Sequence, residues 1–500
     1  MGSHLYDRLM GESSGERPAL MLPGGATLSS GDLASAAGRY ANALVALGVG
    51  PGDRVAMQLE KSPEVVMLYL GCLRAGAVFL PLNTAYTPAE IGYFLGDATP
   101  AVFVCDPARE AEMARVAGAA RVVTLGRKGD GSLVDLANGQ ADAFVNVERG
   151  PQDLASILYT SGTTGRSKGA MLTQANLASN AETLVESWRI TRDDILIHAL
   201  PIYHIHGLFV ALNTLLMAGG AMHFLARFDA GEVLGLMDRA TILMGVPTFY
   251  VRLLDEAGLN PASAGKMRLF VSGSAPLLSE THRAWQERTG HAILERYGMT
   301  ETGMNTSNPY DGERIPGSVG FPLPGVSLRI ADPETGETLP QGGIGGIEVK
   351  GPNVFAGYWN MPEKTAAEFR SDGFFITGDL GKIDEKGYVH IVGRAKDLVI
   401  SGGLNVYPIE VEAEIDALPG VVESAVIGLP HKDFGEAVTA VVVPETGAAR
   451  DEKAVIAAVS SRLAKFKCPK RVLFVDALPR NAMGKVQKAE LRRMFGGLYD

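Results

Sequence analysis

Over the first part of the chain, segments with apolar residues at helical spacing alternate with short runs of consecutive apolar residues. A helix is predicted after the Ser-Ser-Gly-Asp start signal at 29–32, with an apolar face made of Leu33, Ala37, Tyr40, Leu44 and Leu47. Further elements are predicted as a helix at 64–75 and strands at 53–57, 101–105, 155–160, 195–200 and 267–271. Strands that alternate with helices predict parallel sheets covered on both faces.

From about Ser327 the pattern changes to short strands with glycine-rich turns, such as 346–350 and 387–392. This change predicts a β-rich subdomain at about 327–393. Farther along, the pattern becomes that of a compact α/β unit, with helices at 408–418 and 452–463 and a strand at 425–428.

The 500 residues exceed what one hydrophobic core usually supports, so at least two domains are expected. We predict an N-terminal domain at 1–395 and a C-terminal domain at 396–500, with the boundary near Lys396. The predicted fold class is α/β. The N-terminal domain is large, has parallel-rich sheets flanked by helices and includes the β-rich subdomain, whereas the C-terminal domain is a small α/β unit.

Charge and composition exclude several classes of protein. The net charge is −10 without a basic block, which argues against binding to nucleic acid or to an anionic membrane. The three cysteines are far apart, odd in number and without metal-ligand spacing, which is typical of a reducing compartment. No segment approaches the roughly 18 apolar residues of a membrane span, and no secretory signal is visible. A cytoplasmic enzyme is expected.

The segment 159–169, Tyr-Thr-Ser-Gly-Thr-Thr-Gly-Arg-Ser-Lys-Gly, follows a predicted strand and concentrates hydroxyls, glycines and one lysine. Accessible backbone N–H groups, hydroxyl donors and an ammonium group together suit a polyphosphate. The candidate residues are Thr160, Ser161, Gly162, Thr163, Thr164, Gly165 and Lys168. It is not a Walker A loop, since Lys168 follows serine and not glycine. The alternative is a polar surface turn.

A second segment, Glu-Arg-Tyr-Gly-Met-Thr-Glu at 295–301, combines an aromatic ring with oxygen ligands. Tyr297 can stack on a flat ring, Thr300 offers a hydroxyl to phosphate, and Glu301 offers a carboxylate to Mg²⁺. This motif is weak by itself, because similar tetrapeptides occur by chance.

Two further candidates are Asp379 and Lys485. We interpret Asp379 as a carboxylate at a strand end that suits a ribose diol, with Arg394 as a possible partner, although a helix or turn cap is equally compatible. Lys485 follows glycine near the C-terminus, in the segment 479–486. A lysine in such a place is usually a solvated surface charge, so Lys485 gains weight only in the company of the other three motifs.

These four segments, in this order, resemble the core motifs of the adenylate-forming superfamily, which holds acyl-CoA synthetases, luciferases and peptide-synthetase adenylation domains. The resemblance covers nearly the whole chain, from Leu28 to Val486. Further matching elements are 201–204, 272–276, 351–358 and 393–397. The segments 204–207, 295–297 and 304–309 resemble the malonyl-CoA and methylmalonyl-CoA synthetases within this superfamily.

The resemblance implies two half-reactions with ATP, Mg²⁺ and CoA. A carboxylate attacks the α-phosphate of MgATP to give an acyl-adenylate and pyrophosphate. A mobile C-terminal domain then rotates about a hinge, and the CoA thiolate displaces AMP. The implied partners are small molecules only, and the chain is expected to be a monomer or a homodimer.

The resemblance also implies a role for each matching residue. The β- and γ-phosphates would bind at 160–168, and the α-phosphate and Mg²⁺ at Thr300 and Glu301. The nucleotide would also contact Ser272, Gly273, Ser274, Ala275, Glu295, Arg296, Tyr297, Gly298, Met299, Asp379 and Arg394. Catalysis would involve Lys485 at the attacking carboxylate and His204 at the CoA entrance, and the hinge would be Lys396 with Asp397. The tunnel for the pantetheine arm of CoA would be lined by Ser401, Gly402 and Gly403.

The identity of the acid depends on Arg296, which occupies a position where many relatives have a small residue. A guanidinium in the acyl pocket would leave space only for a short acid and would require an anionic partner, which a second substrate carboxylate supplies. Further candidates for this role are Arg283, His206 and Ser274. The alternatives are that Arg283 is an exposed helix residue and that Arg296 pairs with Glu295 or Glu301.

The expected function is therefore ligation of malonate, with methylmalonate next, to CoA. Three alternatives stay open at this point: a short monocarboxylate–CoA ligase, an adenylating enzyme that loads a carrier protein, and an inactive nucleotide-binding regulator. A zinc site at His204 and His206 has no supporting cysteine, histidine or aspartate cluster.

Overall fold

The computed structural model describes residues 2–11, 15–160, 167–481 and 484–499. The chain forms two compact units. The first unit consists of Met1–Ser327 and Val349–Phe375, and the second consists of Leu328–Glu348 and Ile376–Asp500. The mixture of parallel sheets and helices confirms the predicted α/β class. The hinge and domain boundary near Lys396 stay a prediction.

The helices of the described residues are short to medium in length. They are α1 (His4–Met10), α2 (Ser30–Ala46), α3 (Pro63–Ala75), α4 (Pro88–Ala98), α5 (Glu110–Ala114), α6 (Ser132–Asn138), α7 (Gln174–Ser187), α8 (Asn213–Ala218), α9 (Ala230–Leu236), α10 (Pro247–Leu254), α11 (Ser279–Thr289), α12 (Pro362–Ala367), α13 (Pro408–Asp416), α14 (Glu452–Ser460) and α15 (Lys488–Phe495). One segment, His206–Leu212, is a π-helix. No helix in this part of the chain is long and apolar enough to cross a bilayer.

The strands of the first unit belong to two large sheets. In chain order they are β1 (Pro18–Met21), β2 (Thr27–Ser29), β3 (Arg54–Gln58), β4 (Val78–Pro81), β5 (Val102–Cys105), β6 (Arg121–Thr124), β7 (Leu154–Thr160), β8 (Lys168–Thr173), β9 (Ile195–His198), β10 (Ala221–Phe224), β11 (Ile242–Gly245), β12 (Leu269–Ser272), β13 (Leu294–Met299), β14 (Gly303–Ser307) and β15 (Phe321–Pro322).

The remaining strands lie mostly in the second unit. They are β16 (Ser327–Ala331), β17 (Gly345–Lys350), β18 (Gly357–Tyr358), β19 (Phe375–Ile383), β20 (Val389–Arg394), β21 (Val399–Ser401), β22 (Leu404–Val406), β23 (Val421–His431), β24 (Gly435–Pro444) and β25 (Arg471–Phe474). Of these, β18 pairs with β8 of the first unit's seven-stranded sheet.

The nine-stranded sheet has the order β15-β14-β13-β12-β11-β9-β10-β1-β2, and the strands from β13 to β1 are parallel. The seven-stranded sheet has the order β18-β8-β7-β4-β3-β5-β6, with parallel pairing from β7 to β6. In the second unit, β16, β17, β19 and β20 form one sheet and β21 to β25 form another. The predicted parallel sheets are confirmed, because their apolar strands are separated by helices that cover them.

The predicted elements agree with the structure to within a few residues at most ends. Helix α2 begins where the start signal was found: Ser29 accepts a hydrogen bond from the Asp32 backbone N–H at 3.0 Å, and Asp32 accepts one from the Ser29 backbone N–H at 2.8 Å. The strand predicted at 425–428 is much longer, at Val421–His431, because it pairs along its length with β24. All three cysteines are buried and free.

A buried ion pair joins the amino ends of three neighbouring strands of the nine-stranded sheet. Asp194 precedes β9, Thr241 precedes β11 and Arg268 precedes β12. Both carboxylate oxygens of Asp194 accept hydrogen bonds from the Arg268 guanidinium at 2.7 Å, and one also accepts from the Thr241 hydroxyl at 2.8 Å. Burial raises the pKa of Asp194, but these donors outweigh it and hold the pKa below its usual value.

We expect Arg268→Met to lower the free energy of unfolding by about 3 kcal/mol, because it leaves the buried Asp194 carboxylate without its charged partner. The measurement is urea denaturation followed by circular dichroism. The matched control is Arg239→Met, which removes an exposed ion pair with Asp238 and should cost less than about 1 kcal/mol. Equal losses in the two variants would contradict the role of the buried pair.

Candidate active site

The candidate acyl pocket lies at the carboxyl end of the nine-stranded sheet. Strand β11 ends at Gly245, which pairs with Ser272 at the end of β12, and Ser272 pairs with Glu295 in β13. The carboxyl ends of parallel strands form the edge where ligands usually bind in open α/β sheets. The segments that the sequence separates, 272–275 and 295–299, therefore meet at one edge.

Arg296 is buried, with 5% of its surface exposed. Its Nε and Nη2 atoms have no hydrogen-bond partner among the described residues. Burial lowers the pKa of the guanidinium to about 9. The alternative pairing with Glu295 is not observed: Glu295 instead accepts hydrogen bonds from His282 Nδ1 at 3.0 Å and from the Gly317 backbone N–H at 3.1 Å.

Gly273 makes room for the guanidinium. A Cβ atom at this position would lie 2.3 Å from Arg296 Cζ and 2.5 Å from Nη1, closer than non-bonded atoms approach. Any side chain at 273 would therefore displace the Arg296 head group. A glycine in the strand-to-helix turn was expected to contact the nucleotide, and its role in seating Arg296 is visible only in the structure.

His206 contributes a second polar group to the same pocket. It is fully buried, and its Nδ1 lies 3.1 Å from the Ser274 hydroxyl, while Nε2 has no partner among the described residues. Burial, followed by the charge of Arg296, holds the pKa of His206 well below its usual value. The Ser272 hydroxyl is likewise buried without a partner there. Ser274 has a φ of 70°, a conformation that costs energy for a residue with a side chain.

The polar atoms of Arg296, His206 and Ser272 that have no partner among the described residues indicate which ligand the pocket can bind. Buried polar groups are normally hydrogen-bonded, and a buried cation requires an anion. Neither Arg296 nor His206 forms an ion pair with a carboxylate in the described part of the chain. The pocket therefore fits a small anion with several acceptor oxygens.

Arg283 lies on α11 and is exposed. It forms no hydrogen bond or ion pair with any residue that the structure describes. This placement corresponds to the alternative of an exposed helix residue. Its role at the acyl pocket stays a prediction.

A second cluster joins Glu301 to Lys168 in the first unit. The Tyr358 hydroxyl donates a hydrogen bond to Glu368 at 2.6 Å and lies 3.1 Å from a carboxylate oxygen of Glu301. Lys168 Nζ is 3.2 Å from Glu368 and 4.1 Å from the centre of the Tyr358 ring. The predicted phosphate lysine and the predicted Mg²⁺ carboxylate are thus linked through two side chains that the sequence analysis did not select.

The phosphate segment connects two antiparallel strands. Thr160 ends β7 and pairs with Lys168 at the start of β8, and Tyr93 donates a hydrogen bond to the Ser167 carbonyl at 2.9 Å. The candidates Ser161, Gly162, Thr163, Thr164 and Gly165 lie outside the described residues.

The other candidates of the first unit lie near these clusters in sequence. Thr300 and Tyr297 are half-buried at and after the end of β13, where Gly298 and Met299 complete the strand. Glu301 is buried, with 6% exposed, and its oxygens are the kind of ligand that Mg²⁺ prefers. His204 is half-buried, and its Nδ1 accepts a hydrogen bond from the His206 backbone N–H at 3.3 Å. The described residues contain no group of three metal-ligating side chains that would support zinc.

In the second unit, Asp379 and Arg394 form the expected pair. They are opposite each other in β19 and β20, and Arg394 Nε lies 2.8 Å from Asp379 Oδ1. The expected position at a strand end was wrong, because Asp379 is in the interior of β19. Its neighbouring strand supplies the arginine, so neither a helix cap nor a turn cap describes it.

Lys485 belongs to the same electrostatic cluster. Burial, and next the charge of Arg394, lower the pKa of Lys485 to about 8, and the charge of Asp379 opposes this shift. The hinge candidates Lys396 and Asp397 also act on Lys485. The ribose pair, the hinge candidates and the candidate catalytic lysine are therefore neighbours within one unit, although they are far apart in sequence.

Lys485 and Gly484 are held by hydrogen bonds to Asn481. Gly484 has a φ of 75°, and the Asn481 side chain accepts a hydrogen bond from the Lys485 backbone N–H at 3.0 Å. The CoA candidates form a turn: Ser401 ends β21, and Gly402 and Gly403 have φ values of 60° and 78°. Glycine adopts such positive φ angles without a steric cost, which favours it at 402, 403 and 484.

Comparison with known proteins adds the family. A model of the AMP-binding enzyme family matches residues 10–359, and a model of the AMP-binding enzyme C-terminal domain matches residues 410–485. The crystal structure of ATP-bound MatB from Rhodopseudomonas palustris is 62% identical, with full coverage of both chains and a TM-score of 0.98. The malonate–CoA ligase of Arabidopsis thaliana is 35% identical over 88% of this chain and 78% of the relative, and a feruloyl-CoA synthase of Amycolatopsis is 37% identical over 95% of each.

The family models cover most of the chain and contain the segments 159–169 and 295–301 as well as Lys485. The structural similarity extends over the whole chain. The resemblance to adenylate-forming enzymes is therefore confirmed, and the chain belongs to the AMP-binding enzyme family.

Proposed function

We propose that this protein ligates malonate to CoA with ATP, and forms malonyl-CoA, AMP and pyrophosphate. The observation that carries the substrate assignment is the buried Arg296 guanidinium, whose Nε and Nη2 have no partner among the described residues. The similarity to ATP-bound MatB and to a malonate–CoA ligase supports the same reaction. A cytoplasmic location and a monomeric or dimeric state stay predictions.

The pocket favours a short dicarboxylate over a monocarboxylate. A substrate must leave one carboxylate free to react with ATP, and only a second carboxylate can neutralise Arg296 at the same time. His206 and Ser274 add hydrogen-bonding groups beside it, and Arg283 is a further candidate that the structure leaves exposed. Propionate or acetate would leave the guanidinium buried without an anion, which costs several kcal/mol. Methylmalonate has the same two carboxylates and is the next candidate.

In the first half-reaction, a malonate oxygen attacks the α-phosphorus of ATP. A P–O bond forms to the acid while the bond to the β-phosphate oxygen breaks, and pyrophosphate leaves with the electron pair. Thr300 and Lys168 would hold phosphate oxygens, and Glu301 would bind Mg²⁺, which neutralises phosphate charge. Lys485 would hold the attacking carboxylate near the α-phosphate. Positioning and charge stabilisation account for this type of catalysis, since the protein forms no covalent bond.

In the second half-reaction, the CoA thiolate attacks the acyl carbon of malonyl-AMP. The C–S bond forms, the C–O bond to AMP breaks, and AMP leaves with the electron pair. Asp379 and Arg394 would retain the ribose of the leaving AMP. The turn at Ser401–Gly403 would contact the pantetheine arm of CoA, and the His204 ring would lie at the entrance through which CoA reaches the acyl-adenylate. A rotation at Lys396 and Asp397 between the two half-reactions is part of the proposal.

We expect Arg296→Met to lower kcat/KM for malonate by about a hundredfold or more while leaving propionate turnover unchanged or improved, because only malonate loses its charged partner. ATP–pyrophosphate exchange with malonate, methylmalonate, propionate and acetate measures this. Gly273→Ala should cause the same change in selectivity with Arg296 still present, since the added Cβ displaces the guanidinium.

Two further variants complete this experiment. Arg252→Met, which removes an exposed arginine of α10, is the control and should leave the selectivity unchanged. Arg283→Met is tested in parallel. Of the two arginine variants, the one with the larger fall in kcat/KM for malonate relative to propionate identifies the arginine that binds the second, non-reacting carboxylate. A wild-type enzyme that prefers propionate to malonate would contradict the proposed substrate.

For Lys485, we expect the alanine variant to lower the rate of adenylation by about a hundredfold or more but to leave thioester formation from synthetic malonyl-AMP intact. The pKa of about 8 means that Lys485 is charged below pH 8 and neutral above it. The adenylation rate should therefore fall above about pH 8. Lys485→Arg retains the charge and should move this fall to higher pH. An equal loss in both half-reactions of Lys485→Ala would refute the assignment.

A further inference from the structure

A buried lysine, Lys61, lies close to the acyl pocket but belongs to none of the motifs. It follows β3 of the seven-stranded sheet, and 7% of its surface is exposed. Its Nζ lies 2.7 Å from His198 Nδ1 and 2.7 Å from the His198 carbonyl oxygen. The third direction faces the Phe224 ring, whose centre is 4.3 Å away. The Nζ atom thus contacts residues of β9 and β10 in the nine-stranded sheet.

These contacts determine the tautomer of His198. Its Nε2 lies 2.9 Å from the Gly207 carbonyl oxygen, which only accepts, so Nε2 carries the hydrogen. Nδ1 then accepts from Lys61, because an ammonium or amine N–H is the donor that faces it. A hydrogen on Nδ1 would point at Lys61. Burial and the charge of Lys61 hold the pKa of His198 well below its usual value, so the ring is neutral.

The Gly207 carbonyl connects this pair to the acyl pocket. Gly207 is the second residue of the π-helix that begins at His206, and His206 faces Ser274 and the charge of Arg296. Space around Gly207 is restricted, since a Cβ atom there would lie 2.0 Å from the Pro201 carbonyl oxygen. A π-helix is rare and is frequently found at functional sites. In this protein, the hydrogen bond from His198 Nε2 to the Gly207 carbonyl oxygen holds the first turn of the π-helix.

We propose that Lys61 is a positioning residue of the acyl pocket. It keeps His198 in the Nε2–H tautomer, His198 holds the Gly207 carbonyl, and the first turn of the π-helix thereby presents His206 to the carboxylate bound at Arg296. This inference rests on the proposed function, because it assigns a purpose to the same pocket.

The composition of this group of side chains supports the inference. Lys61, His198, His206 and Arg296 are all buried, and none of them forms an ion pair with a described carboxylate. A methionine at position 61 would be cheaper to bury if packing were its only purpose. A lysine is needed to supply N–H donors to Nδ1 and to the His198 carbonyl at the same time.

The test is Lys61→Met, assayed with the carboxylate that the wild-type enzyme turns over best. We expect the KM for this carboxylate to rise about tenfold or more, because the hydrogen bond from His206 to the substrate carboxylate is charge-assisted and would be lost. The KM for ATP should stay within about twofold. Long-range ¹⁵N–¹H spectra of histidine-labelled protein report the tautomer. The wild-type His198 should be the pure Nε2–H form, and the variant should contain the Nδ1–H form as well.

Two variants separate positioning from general stability. Thr124→Val removes buried hydrogen bonds at β6, the edge strand of the seven-stranded sheet, and should change neither the acid KM nor the tautomer. His198→Gln keeps a donor for the Gly207 carbonyl but removes the Nδ1 acceptor of Lys61, while the backbone carbonyl at position 198 is retained. When Lys61→Met is added to His198→Gln, the KM for the acid should rise by less than about twofold further, because Lys61 is proposed to act through His198.

Each outcome decides the proposal. A rise in the acid KM with a changed tautomer supports it. An unchanged acid KM, an unchanged tautomer, or equal losses for acid and ATP together with a lower melting temperature would overturn it. If malonate is not the preferred acid, the proposed function fails, and the assay with the preferred acid still tests Lys61.

Discussion

The burial of a guanidinium without a carboxylate partner is the constraint on which the candidate site depends. Arg296 lies in β13, next to the residue that pairs with the carboxyl end of β12, and burial lowers the pKa of its side chain to about 9. Folding an unpaired cation into such a place costs free energy that the rest of the unit must supply. The same cost becomes selectivity when a substrate brings the missing anion, because a ligand without a second carboxylate leaves the cation unpaired.

The surroundings of Arg296 are consistent with this constraint. Gly273 has no side chain, so the guanidinium can occupy the space beside the strand-to-helix turn. His206 Nε2 and the Ser272 hydroxyl have no partner among the residues described, whereas Glu295, the nearest carboxylate in sequence, accepts hydrogen bonds from His282 and Gly317. A local ion pair with Glu295 would have satisfied Arg296 and removed its attraction for an anionic substrate.

In the nine-stranded sheet, the groups that stabilise the fold lie at the amino ends of the strands, and those of the candidate pocket lie at the carboxyl ends. At the amino ends, Asp194 and Arg268 form a paired, hydrogen-bonded ion pair that holds three strands together. At the carboxyl ends, Arg296 Nε and Nη2, His206 Nε2 and the Ser272 hydroxyl have no hydrogen-bond partner in the part of the chain that the structure describes. A satisfied buried pair stabilises the fold, and an unsatisfied group stores the energy that a ligand can recover. The second unit combines its own groups in a similar way, since Arg394, Asp379 and Lys485 are electrostatic neighbours.

The sequence by itself determined the class of fold, the family and the identity of most candidate residues. Hydrophobic periodicity and capping signals locate elements such as α2 because these depend on neighbours along the chain. Only the tertiary structure decided which polar groups are paired. It placed Asp379 inside a strand opposite Arg394 and joined Lys168 to Glu301 through Tyr358 and Glu368. It also left Arg296 without a carboxylate partner from the described parts of the chain. The physical reason is that burial and hydrogen-bond partners come from strands and turns far apart in sequence, so the local pattern around Arg296 is compatible with an ion pair that the fold does not form.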